Sequence, residues 1–157
     1  MDFNADSFKI FDKEWALVTA GTPEHYNTMT ISWGGLGTLW GKPVATVYVK
    51  PIRYTHSFLD ANDYFTVSFY PEKYRRALLT LGSLSGRDGD KVAKAGLTAK
   101  ALEGAVTFEQ AKVTLLCKKI YRQDMDTAAM PADVVADFYE NEAAHTMYIG
   151  EVIDVIL

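Results

Sequence analysis

Short runs of alternating residues, cut by glycine and proline, constrain this chain more than any other feature. In Asn27-Thr28-Met29-Thr30-Ile31-Ser32-Trp33, Met29 and Ile31 fall on one side and Thr28, Thr30 and Ser32 on the other. Period two, with β-branched residues, is the pattern of a strand with one face on a core. Residues 64–70 alternate in the same way, and residues 111–123 form a long strand with Val113, Leu115 and Cys117 facing one way. Residues 15–20 are a short apolar strand ended by Gly21-Thr22-Pro23. Pro43 opens a strand over 44–49 that is apolar almost throughout, and Pro51 ends it by lacking a backbone donor. Residues 97–108 read as short strands turning at Glu103-Gly104, and 145–157 as a last strand with Gly150 inside it. Glycine within a strand marks a bulge or a close backbone approach. The cluster Gly34-Gly35-Leu36-Gly37 is read as a break in the chain.

Helical spacing is confined to short insertions. Residues 54–62 read as a helix with Thr55 as N-cap, and 72–81 as one started by Pro71. A third covers 91–95 and closes on Gly96, and a fourth runs from Pro131 to Tyr139. The total is seven or eight strands and three or four helices, without repeated βαβ units. The reading is a mainly β, mostly antiparallel barrel with helical insertions, one domain over 1–157.

Composition narrows the functional classes. A chain of 157 residues, 48% hydrophobic and 23% charged, has the make-up of a globular domain able to bury a core without disulfides or metal. The net charge of −4 argues against nucleic acid, which needs a basic face. No stretch approaches the ~20 apolar residues of a membrane span, and the start MDFNADSFKIF has no secretory pattern. The single cysteine, Cys117, lies in an apolar run as a small core residue; with no partner in the chain it fits a reducing, cytoplasmic setting. His25, His56 and His145 have no companion at metal-ligand spacing, so no metal site is expected.

No nucleophile elbow, Walker loop or complete dinucleotide fingerprint is present. Three polar segments remain. The hydroxyls of 27–33 suit either a solvated strand face or a ligand. Tyr48-Val49-Lys50-Pro51-Ile52-Arg53-Tyr54-Thr55 ends a buried strand in two cations and then starts a helix. Free N–H groups and the positive dipole end make such a start an anion site, with Arg53 able to add a bidentate contact. Ser83-Leu84-Ser85-Gly86-Arg87-Asp88-Gly89-Asp90-Lys91 is either a surface loop or a backbone nest for a phosphate. Together with 9 Tyr, 8 Phe and 3 Trp, the three segments point to a phosphorylated planar ligand.

The stretch NTMTISWGGLGTLWGKPVATVYVKPIRYTHSFLDANDYFTVSFY, with the later SGRDGDKVAKAGL and HTMYIGEV, resembles the flavin reductase-like family of FMN-binding split β-barrel proteins, flavoredoxin-like members included. The resemblance implies a homodimer binding FMN near the subunit interface. It implies that Asn27, Thr28, Met29, Thr30 and Ser32 flank the flavin and ribityl chain, and that Tyr48, Val49 and Lys50 line the ring edge, mostly through backbone. Arg53, Tyr54 and Thr55 would hold the phosphate, and Ser85, Gly86, Arg87 and Lys91 would close over it. His145 would lie near the flavin or nicotinamide. Family members often have Arg before the proline, where this chain has Lys50. The implied activity is an oxidoreductase passing electrons from NAD(P)H through FMN to a flavin, a redox partner protein or another acceptor. The alternative is a flavoredoxin-like electron carrier without an efficient nicotinamide reaction.

Overall fold

The computed structural model describes residues 2–157. After a one-turn-and-a-half helix α1 (Ser7–Asp12) come strands β1 (Ala16–Thr22), β2 (His25–Ile31), β3 (Gly34–Leu39) and β4 (Lys42–Val49). Helix α2 (Tyr54–Ala61) leads to β5 (Tyr64–Phe69), α3 (Arg75–Ser83) and α4 (Lys91–Ala95). A hairpin of β6 (Ala99–Leu102) and β7 (Ala105–Phe108) precedes the long β8 (Val113–Asp124), α5 (Ala132–Phe138) and β9 (Thr146–Ile156).

Seven strands form one sheet in the order β2-β1-β5-β8-β9-β4-β3, every pair antiparallel. Flat, this sheet would be roughly 29 Å across. Yet Met29 and Ile31 of β2 share one apolar cluster with Ala45, Val47 and Val49 of β4, five places away. The sheet is therefore rolled around that cluster, while its edge strands β2 and β3 are not paired to each other. Phe65, Phe69, Leu115 and Tyr148 are almost fully buried in the interior. Each such side chain contributes about 1.5–3 kcal/mol of burial. A second cluster lies outside the roll, where Ala77, Leu78 and Leu81 of α3 and Leu97 cover Leu17 and Phe108.

The long alternating strands lie where their patterns place them. Gly150 has the close approach expected of it: a Cβ there would come within 2.6 Å of the Phe65 ring and 2.7 Å of Cys117 Cβ. Three expectations are corrected. Gly34-Gly35-Leu36-Gly37 is not a break but most of β3, an edge strand paired to β4 through the two-residue turn Trp40-Gly41, whose φ values are 53° and 72°. Positive φ at both turn positions matches the twist of the flanking strands. Gly34 has no Cβ because the Phe11 ring of α1 packs there, 2.7 Å from where that atom would be. Second, Thr55 does not cap α2; the N-cap is Arg53 and no side chain bonds the first turn from that position. Third, a 3-10 turn (Glu72–Tyr74) follows Pro71, and α3 starts only at Arg75. Helix α1 was not foreseen; Asp6 caps it by accepting from the N–H groups of Phe8 and Lys9, each at 3.2 Å, and Ile10 and Phe11 anchor it.

Among the described residues no helix is long and apolar enough to cross a membrane, and no group of three or more His, Cys, Asp or Glu is placed to hold a metal ion.

Candidate functional site

Two clefts are joined by β2. One, of about 290 Å³, is lined by Tyr26, Asn27, Tyr54, Gly86 and Lys91 among others. The other, of about 180 Å³, is lined by Thr30, Ile31, Ser32, Trp33, Tyr48 and His145. From Asn27 to Ile31 the strand spans roughly 14 Å at ~3.4 Å per residue.

The first cleft is built where four distant segments converge. Asn27 is buried on β2, and its Nδ2 donates to Thr55 Oγ1 in the first turn of α2 at 2.7 Å. Ser85 accepts from the Arg87 N–H at 3.2 Å, which starts the 3-10 turn Gly86–Asp88. Arg87 reaches back over the Tyr54 ring at 4.7 Å and donates to the Ile52 carbonyl at 3.1 Å. Gly86 presses on Asn27 so closely that a Cβ would overlap Asn27 Oδ1 and sit 3.0 Å from the Tyr54 ring.

The cations of this cleft are held by carbonyls rather than carboxylates. Arg53 donates to the Gly82 carbonyl at 3.3 Å, and Lys91 Nζ to those of Leu81 at 3.2 Å and Leu84 at 3.1 Å. These oxygens belong to the C-terminal end of α3 and the residue after it, the negative end of the helix dipole. Neither cation has an ion-pair partner among the described residues. Lys91 is buried, and burial together with the nearby positive charge of Arg53 pushes its pKa down to about 8. Burial also lowers that of Arg53. Glu24 and Asp90 also line the cleft, Asp90 accepting from the Ala93 N–H, but neither is paired with Arg53 or Lys91, and these two cations beside an uncapped helix start are suited to receive an anion. These groups fit the phosphate of a flavin mononucleotide.

The second cleft has a different chemistry. Thr30 donates to the Leu78 carbonyl, again on α3. Trp33 stacks edge-on against Phe138 of α5 at 5.4 Å and lies 5.4 Å from the His145 ring. His145 Nδ1 and the Tyr139 hydroxyl are 2.6 Å apart. The phenol is the better donor, so Nδ1 accepts and a neutral His145 carries its proton on Nε2. Burial, aided by Lys50 and opposed by Glu142, lowers the His145 pKa and favours that neutral form. Lys50 is paired with Glu142 and lies 5.7 Å from the Tyr139 ring.

Of the residues singled out in the sequence, Asn27, Tyr54, Gly86 and Lys91 line the first cleft, and Arg53, Thr55, Ser85 and Arg87 stand behind them, Thr55 bonded to Asn27 and Arg87 over the Tyr54 ring. Thr30, Ser32, Tyr48 and His145 meet at the second. The structure sets others apart. Thr28 is buried against Thr19, Oγ1 to Oγ1 2.8 Å, and donates to the Val18 carbonyl. The side chains of Met29 and Val49 lie in the core, so only their backbone faces outward. Lys50 faces a third hollow with Pro51, Ile52 and Glu142. Sequence reasoning does not single out as site residues Tyr26, Trp33 or Tyr139, whose only signal is the density of aromatics, nor Glu24, Asp90 or Glu142, which carry none.

Comparison with known proteins gives a consistent picture. The model of the flavin reductase like domain matches residues 8–157. No curated protein matches. Among solved structures, flavoredoxin of Desulfovibrio vulgaris (Miyazaki F) is 22% identical with a TM-score of 0.72, over 100% of this chain and 76% of that one. Flavoredoxin from Methanosarcina acetivorans is 18% identical with a TM-score of 0.72, over 99% and 74%. The NADH:FAD oxidoreductase of Streptomyces globisporus C-1027 is 19% identical with a TM-score of 0.70, over 91% and 74%. At these identities the likeness is one of fold.

Proposed function

This chain belongs to the flavin reductase-like family, and from that premise we propose that it binds FMN and passes electrons from NAD(P)H to a flavin or another acceptor. The observation that carries the reading is the Arg53–Lys91 pair, held by carbonyls at the end of α3 and just after it and in no ion pair among the described residues. In this reading Arg53, Lys91, Thr55 and the backbone of 85–87 hold the phosphate, and Asn27 orders the turn that carries Thr55. Thr30, Ser32 and Tyr48 meet the ring system, with His145 Nε2 as a donor at its edge. FMN, when bound, supplies the two-electron chemistry. The chain's own part is to bind, orient and present donors, and no protein acid–base pair is needed.

A homodimer is part of the reading, as the resemblance to the family implies; sedimentation tests it. A reducing, cytoplasmic setting is also part of the reading, as one that an unpaired thiol suits; that thiol, Cys117, is buried.

The test is the absorption spectrum of the purified protein after FMN addition and desalting, then anaerobic NADH and NADPH. Flavin that is retained and bleaches with a nucleotide establishes the reductase and names its donor. Retained flavin that does not bleach, but is reduced by a partner redox protein, makes the chain an electron carrier like the flavoredoxins. Failure to bind FMN in an equilibrium titration overturns the reading.

A further inference from the structure

Consecutive residues fasten the first turn of α2 on two sides. Thr55 is held by Asn27 of β2, and the next residue, His56, meets Thr146 of β9 with Nε2 and Oγ1 2.8 Å apart. The direction of that bond follows from its neighbour. Thr146 Oγ1 donates its one proton to Asp124 Oδ1 at 2.8 Å, because an ionised carboxylate can only accept. Thr146 Oγ1 therefore accepts from His56, and His56 carries a proton on Nε2.

Nδ1 of the same ring faces Asp60 Oδ2 at 3.5 Å. Asp60 is itself fixed by Arg122 Nε at 2.8 Å and the Tyr148 hydroxyl at 2.7 Å. The Tyr148 ring stands edge-on to His56 at 5.9 Å. The imidazole is thus set from α2, β8 and β9 together. Its pKa is lowered by burial and by Arg122, against which Asp60 and Asp124 act; the bond to Thr146 needs only that Nε2 carry a proton, which the charged ring supplies as well as the neutral one.

None of His56, Thr146, Asp60 and Asp124 lines either cleft. Yet His56 shares a helical turn with Thr55 and follows Arg53 by three residues, and Thr146 directly follows His145. The Nε2–Oγ1 bond therefore joins the anion-binding start of α2 to the wall of the aromatic cleft. We propose that His56 is a positioning residue: its bond to Thr146 sets the spacing between the two ends of the site, so that a ligand with both a phosphate and a ring engages them at once. The inference rests on the FMN reading above.

The test compares FMN with riboflavin, which has the same ring and no phosphate. A loss of simultaneous engagement removes the advantage that the phosphate gives and leaves ring binding in place. Both ligands are titrated fluorimetrically against the parent, His56→Ala, His56→Gln and Thr146→Val, and each melting temperature is recorded. The parent should bind FMN well over tenfold more tightly than riboflavin. His56→Ala should cut that ratio by about tenfold, the scale of one buried hydrogen bond, with riboflavin affinity held within about twofold. His56→Gln, whose amide can donate to Thr146, should restore most of the ratio. Thr146→Val should behave as His56→Ala does, and the double variant no worse than either, because the two residues share one bond.

Equal weakening of both ligands, or a lower melting temperature at an unchanged ratio, would make His56 a stabilising residue only and overturn the proposal. Should His56→Ala not fold, the contrast between His56→Gln and Thr146→Val decides by the same ratio. A parent without preference for FMN overturns the cofactor reading itself, and this inference with it.

Discussion

The two ends of the site use positive charge in opposite ways. At the α2 end, Arg53 and Lys91 are oriented by the carbonyls of Leu81, Gly82 and Leu84, which fix their geometry and leave both cations outside any ion pair, although Glu24 and Asp90 line the same cleft. Beside the aromatic end, in a hollow of its own, Lys50 is oriented by Glu142, which cancels it. Counting cations in the sequence makes the two ends look alike; what holds each cation separates them. The first end is cross-braced around the buried Asn27, Thr55 and Lys91, which suits it to anchor a resident anion. The second is walled by Trp33 and Phe138, 45% and 46% exposed, and suits a flat molecule that comes and goes.

The largest effect should come from removing the anchor's fork. Arg53→Ala takes away a charge-assisted bond of about 1.5–3 kcal/mol and should weaken FMN binding about 10- to 100-fold by calorimetry. Arg53→Lys should recover only part, since it keeps the charge and loses the planar geometry. Unchanged affinity in Arg53→Ala would end the assignment of this cleft to the phosphate. Next in size is Gly86→Ala. The new methyl overlaps Asn27 Oδ1 and must push Asn27 away from Thr55. Overpacking of this kind costs about 1–3 kcal/mol, so a lower melting temperature should accompany a several-fold loss of FMN affinity. A variant as stable and as tight as the parent would show that the approach of the 3-10 turn to β2 is not fixed.

Titration separates the ends further. The Lys91 pKa lies near 8, well under the usual lysine value, through burial and the charge of Arg53. Anion binding favours the charged form, so FMN affinity should be full at pH 7 and fall as pH rises through about 8. The ligand-free fold moves the other way. Between about 8 and 10.5 the unfolded chain binds the proton that the folded one has lost, so this group adds stability as pH rises through that window. Lys91→Met should bind FMN less tightly at pH 7 and lose the slope between pH 7 and 9. Lys50→Met should keep the slope. A slope that follows Lys50 instead would exchange the roles of the two ends.

The contrast was only half legible in the sequence. Strands β2, β5 and β8 declare themselves because alternation is local, and β1 because a short apolar run closed by Gly21-Thr22-Pro23 suits a strand buried on both faces. Strand β3 does not, because its glycines read as breakers; they are tolerated on an edge paired on one side, and Gly34 is dictated by Phe11, 23 residues away. The donor-rich segments 53–55 and 85–91 are visible as clusters. Their meeting depends on Asn27 bonding Thr55 and on α3 ending beside both cations, which no local pattern records. Tyr139 reads as the end of an ordinary helix, and Glu142 carries no local signal at all. Their partners, His145 and Lys50, lie on other elements.

The smallest effect tests the aromatic end alone. Glu142→Gln removes the charge that cancels Lys50 and leaves the side chain's shape. The pair is exposed to solvent, and such pairs are worth little, so the melting temperature and FMN affinity should hardly change. Reduced nicotinamide dinucleotides are anionic, and an uncancelled Lys50 would attract them. Their KM should therefore fall by about two- to fivefold at low salt, with kcat unchanged, and the difference should fade as salt is raised. A change in FMN affinity with no change in KM would place Glu142 in the anchoring half of the site. The neutralised cation would then belong to the resident cofactor rather than to the passing substrate.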